Sequence, residues 1–162
     1  MGSGIPAFCI VGMPDAAIQE ARERVRAALR ASGFSMPNER VVINLAPGAL
    51  RKTGSGFDLP IAVGVLVATG QLDKRIVSGS MLVWELSMED AVRSVTGLLA
   101  YALCARDRGY DLVCASVPEE LVAIAGLVQR GVRTLADFRA GTLTALHPAA
   151  SRRDAVASEF RE

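Results

Sequence analysis

Residues 41–62, VVINLAPGALRKTGSGFDLPIA, set an apolar strand, a basic loop punctuated by glycines and a helix in immediate succession. The helix start in such a unit can hold a serine nucleophile, or a phosphate on its free amides. Here Asp58 stands at that point. A carboxylate repels phosphate and is a poor acyl acceptor for peptide hydrolysis, so Asp58 reads instead as the cap of the helix, accepting backbone N–H bonds. Gly54-Ser55-Gly56 alone is a weak phosphate signature, and Ser55 with Lys52 reads as two turn residues of one loop before it reads as a hydroxyl–amine dyad. The chain contains no Gly-x-x-x-x-Gly-Lys-Ser/Thr segment, which excludes ATP binding by that loop.

Other chemistry is scarce. His147 is the single imidazole, which removes most metal and acid–base schemes. Cys9, Cys104 and Cys114 are odd in number and far apart on apolar segments, so they read as buried free thiols. With a net charge of +1, contact with nucleic acid needs a local patch. Two groups qualify: Arg22, Arg26 and Arg30, one helical turn apart, and Arg51 with Lys52 in the loop. They suit phosphates and not base edges. The competing reading is a solvated helix face, since Glu20 and Arg24 are spaced for an i,i+4 pair, Glu23 lies beside the stripe and no aromatic platform accompanies it.

The elements that position these residues read as one mixed α/β domain. Half the residues are apolar but few are aromatic, so the core must come from Val, Leu, Ile and Ala. No apolar run reaches the roughly 18 residues of a membrane span, and the N-terminus lacks a leader pattern, so a cytoplasmic protein is expected. The expected elements begin with a strand over Ala7–Val11, a turn at Gly12–Asp15 and a helix over Ala16–Ser32, capped by Asp15, with Ile18, Ala21, Val25, Ala28 and Leu29 inward. A strand over Val41–Leu45 follows, then a buried helix over Asp58–Leu72. Next come a hairpin of Met81–Leu86 with Ala91–Val95, a helix over Gly97–Arg108 and a strand over Leu112–Ala115. A helix from Glu119 to about Leu127, a short strand at Gly131–Arg133 and a helix capped by Thr134 and ending at Arg139 complete the pattern. From Gly141 it fades, and Ser151–Glu162 reads as a frayed polar tail.

Several segments together resemble a known family: Ile5-Pro6-Ala7-Phe8, Ile10-Val11-Gly12-Met13-Pro14-Asp15-Ala16-Ala17, Glu20–Ala28, Asn44-Leu45-Ala46-Pro47, Phe57–Ala62, Glu85-Leu86-Ser87, Val92-Arg93 and Gly131–Leu135. They are similar to the N-terminal domain of the magnesium-chelatase-like AAA+ ATPases of the ComM competence type, over about residues 5–139. The resemblance implies a fold like the Lon proteolytic domain and ribosomal-protein domain 2, with a left-handed β-α-β crossover. Composition argues nothing of the kind, because about 98% of such crossovers are right-handed. Laid on the Lon pattern, Asp58 takes the place of the nucleophilic serine and Leu99 that of the lysine, so both halves of the dyad are vacant.

The division expected is 1–4 as a natural start or a scar, 5–140 as the Lon-like domain, and 141–162 as a polar tail or truncated linker toward an absent AAA+ module. Family members usually carry two further strands ahead of Ile5, so the first sheet is expected to lack edge cover. Trp84 in place of Gly, Glu89-Asp90-Ala91 in place of an Asp-Gly turn and Ser94 in place of Pro depart from the pattern. The implied role is a non-catalytic domain in oligomer assembly, hexameric in the family, and in positioning DNA during uptake and recombination. It takes no cofactor of its own, ATP and Mg belonging to the motor. The alternatives are residual hydrolase or phosphate-binding activity at Gly54–Asp58, and a degenerate fragment acting as assembly partner of a full-length paralogue.

Overall fold

The computed structural model describes residues 7–89, 91–93, 95–116, 124–141 and 143–146. Strand β1 (Phe8–Val11) and β2 (Val41–Asn44) pair in parallel, Phe8 opposite Val41, and helix α1 (Ala16–Ala31) connects them. Helix α2 (Asp58–Ala68) follows β2 and packs against α1. A second sheet runs in the order β3 (Ser80–Leu82), β6 (Asp111–Ala115), β7 (Gln129–Val132), β8 (Thr144–Leu146), parallel except for β8. Between β3 and β6 lie the antiparallel pair β4 (Glu85–Leu86) and β5 (Val92–Arg93) and helix α3 (Leu98–Asp107). The molecule is thus a mixed α/β domain. None of the helices among the described residues is long and apolar enough to cross a membrane.

The five inward positions expected on α1 are all fully buried. Asp15 caps the helix as its position suggested, its Oδ1 accepting the Ile18 N–H at 2.9 Å. At the other end Gly33 turns with φ 71°, and the Phe34 N–H reaches back to the Leu29 carbonyl at 2.8 Å. Helix α2 is apolar on every side, and Leu59, Ile61, Ala62, Val63, Val65 and Leu66 all lie in the core. Its larger side chains each contribute in the range of about 1.5–3 kcal/mol for a fully buried aliphatic group.

Several expected boundaries need correction. Helix α2 stops at Ala68 and not Leu72, because the Gln71 and Leu72 N–H groups fold back on the Leu66 carbonyl around Gly70 at φ 70°. Met81–Leu86 is two strands, broken where the Trp84 indole turns inward to donate to the Val113 carbonyl at 2.6 Å. The hairpin expected after it is present, and its turn is held by Ser87 Oγ, which accepts the Glu89 and Ala91 N–H groups. The helix ending near Arg139 is 3-10 over Leu135–Ala140, with Asp137 accepting the Arg133 and Thr134 N–H groups. Beyond Gly141, where no pattern was legible, β8 pairs with β7. Residues 124–128 form no helix, and the start expected for that helix at Glu119 lies outside the described residues, as do His147, Met1–Gly4 and the 151–162 tail.

Gly12 is where backbone approach is tightest. It adopts φ 99°, and a Cβ built on it would lie 2.1 Å from the Leu45 carbonyl oxygen. Gly12→Ala is therefore expected to lose at least about 2 kcal/mol, combining a left-handed strain with a clash against backbone. Gly48→Ala, with open space around it and no positive φ, should leave stability within about 0.5 kcal/mol. Urea unfolding of the two variants checks the contrast.

Candidate functional site

The junction singled out by sequence folds around a charge pair that sequence did not disclose. Asp58 is fully buried. Its Oδ2 accepts Arg24 Nε at 2.6 Å and the Leu86 N–H at 3.1 Å, and its Oδ1 accepts Arg24 Nη2 at 3.0 Å. The same Nη2 donates to the Ala17 carbonyl at 3.0 Å, while Glu20 stands 3.7 Å from Arg24. The i,i+4 pair expected of Glu20 and Arg24 exists, but it is the longer and more exposed contact of this arginine. Burial raises the Asp58 carboxyl above the ordinary aspartate range, against the Arg24 guanidinium and the Leu86 N–H, and the same contact raises Arg24. The bidentate fork favours the charged form of both groups.

Asp58 is consequently not the cap of α2. The position before it is Phe57, with no side-chain cap bond. The first-turn donors are satisfied by backbone: the Asp58 N–H reaches Ser55 O at 3.3 Å, the Leu59 N–H reaches Trp84 O at 3.0 Å, and Pro60 has none. The loop amide of Gly54 is bound by Asp15 Oδ2 at 3.0 Å. Asp15 thus serves both loops, and the Ile18 N–H holds its carboxyl below the ordinary range. A helix start can seat a phosphate only through free amides, and here these are engaged.

Lys52 also departs from its expected place. It is 8% exposed, and its ammonium donates to the Gly12 carbonyl at 2.9 Å and to the Pro47 carbonyl. Its backbone bridges to Pro14, with Lys52 N–H to Met13 O and Asp15 N–H to Lys52 O both at 3.1 Å. Lys52 is a clamp between the loops after β1 and β2, and no surface contact for phosphate. No hydrogen bond joins it to Ser55. Leu99 is 54% exposed at the start of α3, whereas Asp58 is enclosed. The two positions that the Lon pattern pairs therefore lie in opposite environments.

The arginines divide as well. Arg22 is exposed and paired with Glu23 at 3.1 Å, and Arg51 is exposed. Arg26 and Arg30 line a groove of about 200 Å³ with Asn38 and Glu39. The three cysteines form no disulfide; Cys114 is buried as expected, whereas Cys9 and Cys104 are only half-buried. No cluster of three or more His, Cys, Asp or Glu that could hold a metal ion occurs among the described residues.

Comparison with known proteins decides the family. Residues 1–120 match the family described as subunit ChlI of Mg-chelatase. The chain belongs to this family. It is 39% identical over 115 residues to competence protein ComM of Haemophilus influenzae, covering 71% of this chain and 23% of that protein. It is 37% identical over 137 residues to the uncharacterized protein YifB of Salmonella typhimurium, covering 85% and 26%. An uncharacterized protein of Mycobacterium bovis is 40% identical over 141 residues, covering 85% and 28%. The chain spans about a quarter of the length of these relatives.

Sequence reasoning missed the Arg24–Asp58 pair, though two signals pointed to it. Arg24 falls three residues after Ala21 and four before Ala28, on the apolar face of α1, and Asp58 is the single charge in an otherwise apolar helix. Opposite charges alone on two buried faces must meet or be neutralised. Arg24→Met leaves the carboxylate unpaired and is expected to destabilise by about 3–5 kcal/mol at neutral pH. Loss of the guanidinium raises the Asp58 carboxyl further. The folded variant then holds a proton that the unfolded chain has released, so its deficit is smallest in acid and grows as pH rises through the carboxylate range. Urea unfolding from pH 4 to 7 would show a constant deficit if this assignment were wrong.

Proposed function

We propose that this chain is a non-catalytic, Lon-like domain of a magnesium-chelatase-like ATPase of the ComM type, which helps assemble the oligomer and holds DNA for a motor during uptake and recombination. The observation that carries the reading is the state of Asp58. Both its oxygens are engaged by Arg24 and Leu86 in a fully buried site, which leaves a substrate no access to the carboxylate. A leucine at position 99 and a lysine clamped on two carbonyls at position 52 supply no general base.

The domain takes no cofactor in this reading. The engaged amides at the start of α2 and the absence of a P-loop do not fit a nucleotide, so ATP and Mg belong to an AAA+ module, with a hexamer as the working assembly and the cytoplasm as its place. A left-handed crossover from β1 through α1 to β2 would complete the likeness to Lon. Uptake is favoured by the relative named a competence protein. Contact with DNA is favoured by the exposed Arg30 and Arg51 and the half-buried Arg26.

Fluorescence anisotropy with single- and double-stranded DNA at low salt is expected to show binding that weakens steeply as salt rises. Undetectable or salt-insensitive binding would remove the DNA role. Titration with ATP and Mg is expected to give no heat of binding, and a serine-directed probe is expected to leave the chain unlabelled; labelling abolished by Ser55→Ala would instead install a hydrolase.

One feature favours a second reading, a partner that assembles with a paralogue through its sheet edge. Among the described residues β2 pairs on one side only, and an apolar groove of about 200 Å³ runs between it and α2, past Val42, Ile43, Pro60, Gly64 and Ala68. An open, apolar strand edge is a template for another strand. Native mass spectrometry of this chain mixed with a full-length paralogue separates the readings, a mixed oligomer supporting the second.

A further inference from the structure

We propose that the groove between the C-terminal half of α1 and the segment Met36–Val41 seats one phosphate of a nucleic-acid strand between Arg26 and Arg30. The proposal rests on the DNA-contact reading above and gives it a place. The groove holds about 200 Å³, and the polar side chains lining it are Arg26, Arg30, Asn38 and Glu39.

The state of these two arginines differs from that of their neighbours on the helix. Arg22 has Glu23 at 3.1 Å and Arg24 has Asp58 at 2.6 Å. Arg26 and Arg30, one turn apart, make no ion pair with any described residue. Arg26 is moreover half-buried. A partly desolvated cation without a counter-charge is costly to hold, and an incoming anion would relieve that cost. Two guanidinium forks at i,i+4 can converge on the oxygens of one phosphate, each with parallel N–H donors.

Two groups oppose an anion there. The C-terminal end of a helix carries about half a negative charge on its free carbonyls. In this molecule Arg139 Nη2 covers the exit from α1, donating to Gly33 O at 2.7 Å and Ser32 O at 3.5 Å, while its guanidinium lies 4.5 Å over the Phe34 ring. That leaves Glu39, the acid on the groove wall. Glu39 sets an upper limit on affinity and supplies a diagnostic, since neutralising it should strengthen a phosphate seat and would do nothing for a merely solvated helix face.

The groove opens at Phe8 and Val41, where β1 and β2 begin. The Asp15, Lys52 and Gly54 loops lie past the other ends of those strands. Arg51 and the Arg26–Arg30 pair therefore face different regions, as befits two groups on different elements. A seat built from two arginines, whose one lining ring, Phe8, is buried in the core, grips backbone without regard to base.

The test is anisotropy on the whole chain with a fluorescent single-stranded oligonucleotide, with and without a 5′-phosphate, over a salt series. Arg26→Ala/Arg30→Ala should weaken binding about tenfold or more and make the salt slope shallower by about 0.7 for each phosphate no longer held. Arg22→Ala, whose charge is already paired, should change it less than twofold, and Glu39→Gln should tighten it. Equal weakening on both oligonucleotides assigns the seat to internal phosphodiesters; weakening confined to the 5′-phosphorylated strand assigns it to a terminal phosphate. Alanine is favourable in a helix, and circular dichroism confirms that the double variant is folded. If the wild type binds and neither the double variant nor Glu39→Gln shifts the affinity, the groove is overturned while the DNA-contact reading stands. If the wild type binds no DNA, both fall.

Discussion

The interaction on which the rest of the molecule depends is the fork between Arg24 and Asp58. It ties the middle of α1 to the first turn of α2, and through the Leu86 N–H it ties both to β4. Those three elements otherwise meet through aliphatic surfaces, which are non-directional and would tolerate sliding. A buried pair of fixed geometry is weak ground for net stability, but its directional bonds fix how the three elements meet. Trp84 completes the joint from the other side. Its backbone bonds Gly56 O and the Leu59 N–H, and its indole bonds Val113 O, so the start of α2 is fastened to the second sheet as well.

A second polar joint holds the loops together. Lys52, Asp15 and the backbone of Gly12, Met13, Pro47 and Gly54 bind one another at the carboxyl ends of β1 and β2. In many enzymes of mixed α/β architecture that region is left open to receive a ligand. Here its donors and acceptors are spent on each other. The two joints are adjacent in sequence and are made from the residues that, read singly, promised a nucleophile, a base or a phosphate cradle.

Much of the fold was legible because it is written in periodicity. The inward face of α1 and its Asp15 cap follow from spacing that only one secondary structure satisfies, and the apolar run after Asp58 marks α2 as a buried helix. What was illegible depends on partners far apart in the chain. Asp58 resembled a helix cap because a carboxylate before an apolar run usually is one, and its arginine, 34 residues earlier, is signalled only by the placement of both charges on apolar faces. Lys52 resembled a surface cation because it lies among polar residues, yet its ammonium is drawn inward by carbonyls that become neighbours only when both loops are folded. The break in Met81–Leu86 and the strand β8 escaped for a related reason, since a two- or three-residue strand has no period to detect and is defined by what it pairs with. The family itself was visible from its motifs, and the ChlI match over residues 1–120 agrees.

The enclosure of Asp58 bears on how such a domain changes over time. An uncharged side chain at that position would strand the guanidinium on α1, and an uncharged side chain on α1 would strand the carboxylate. Either step alone passes through a poorly folded intermediate, so the pair must be exchanged together or kept. The two side chains thereby hold each other in place, and neither position is open to one-at-a-time substitution.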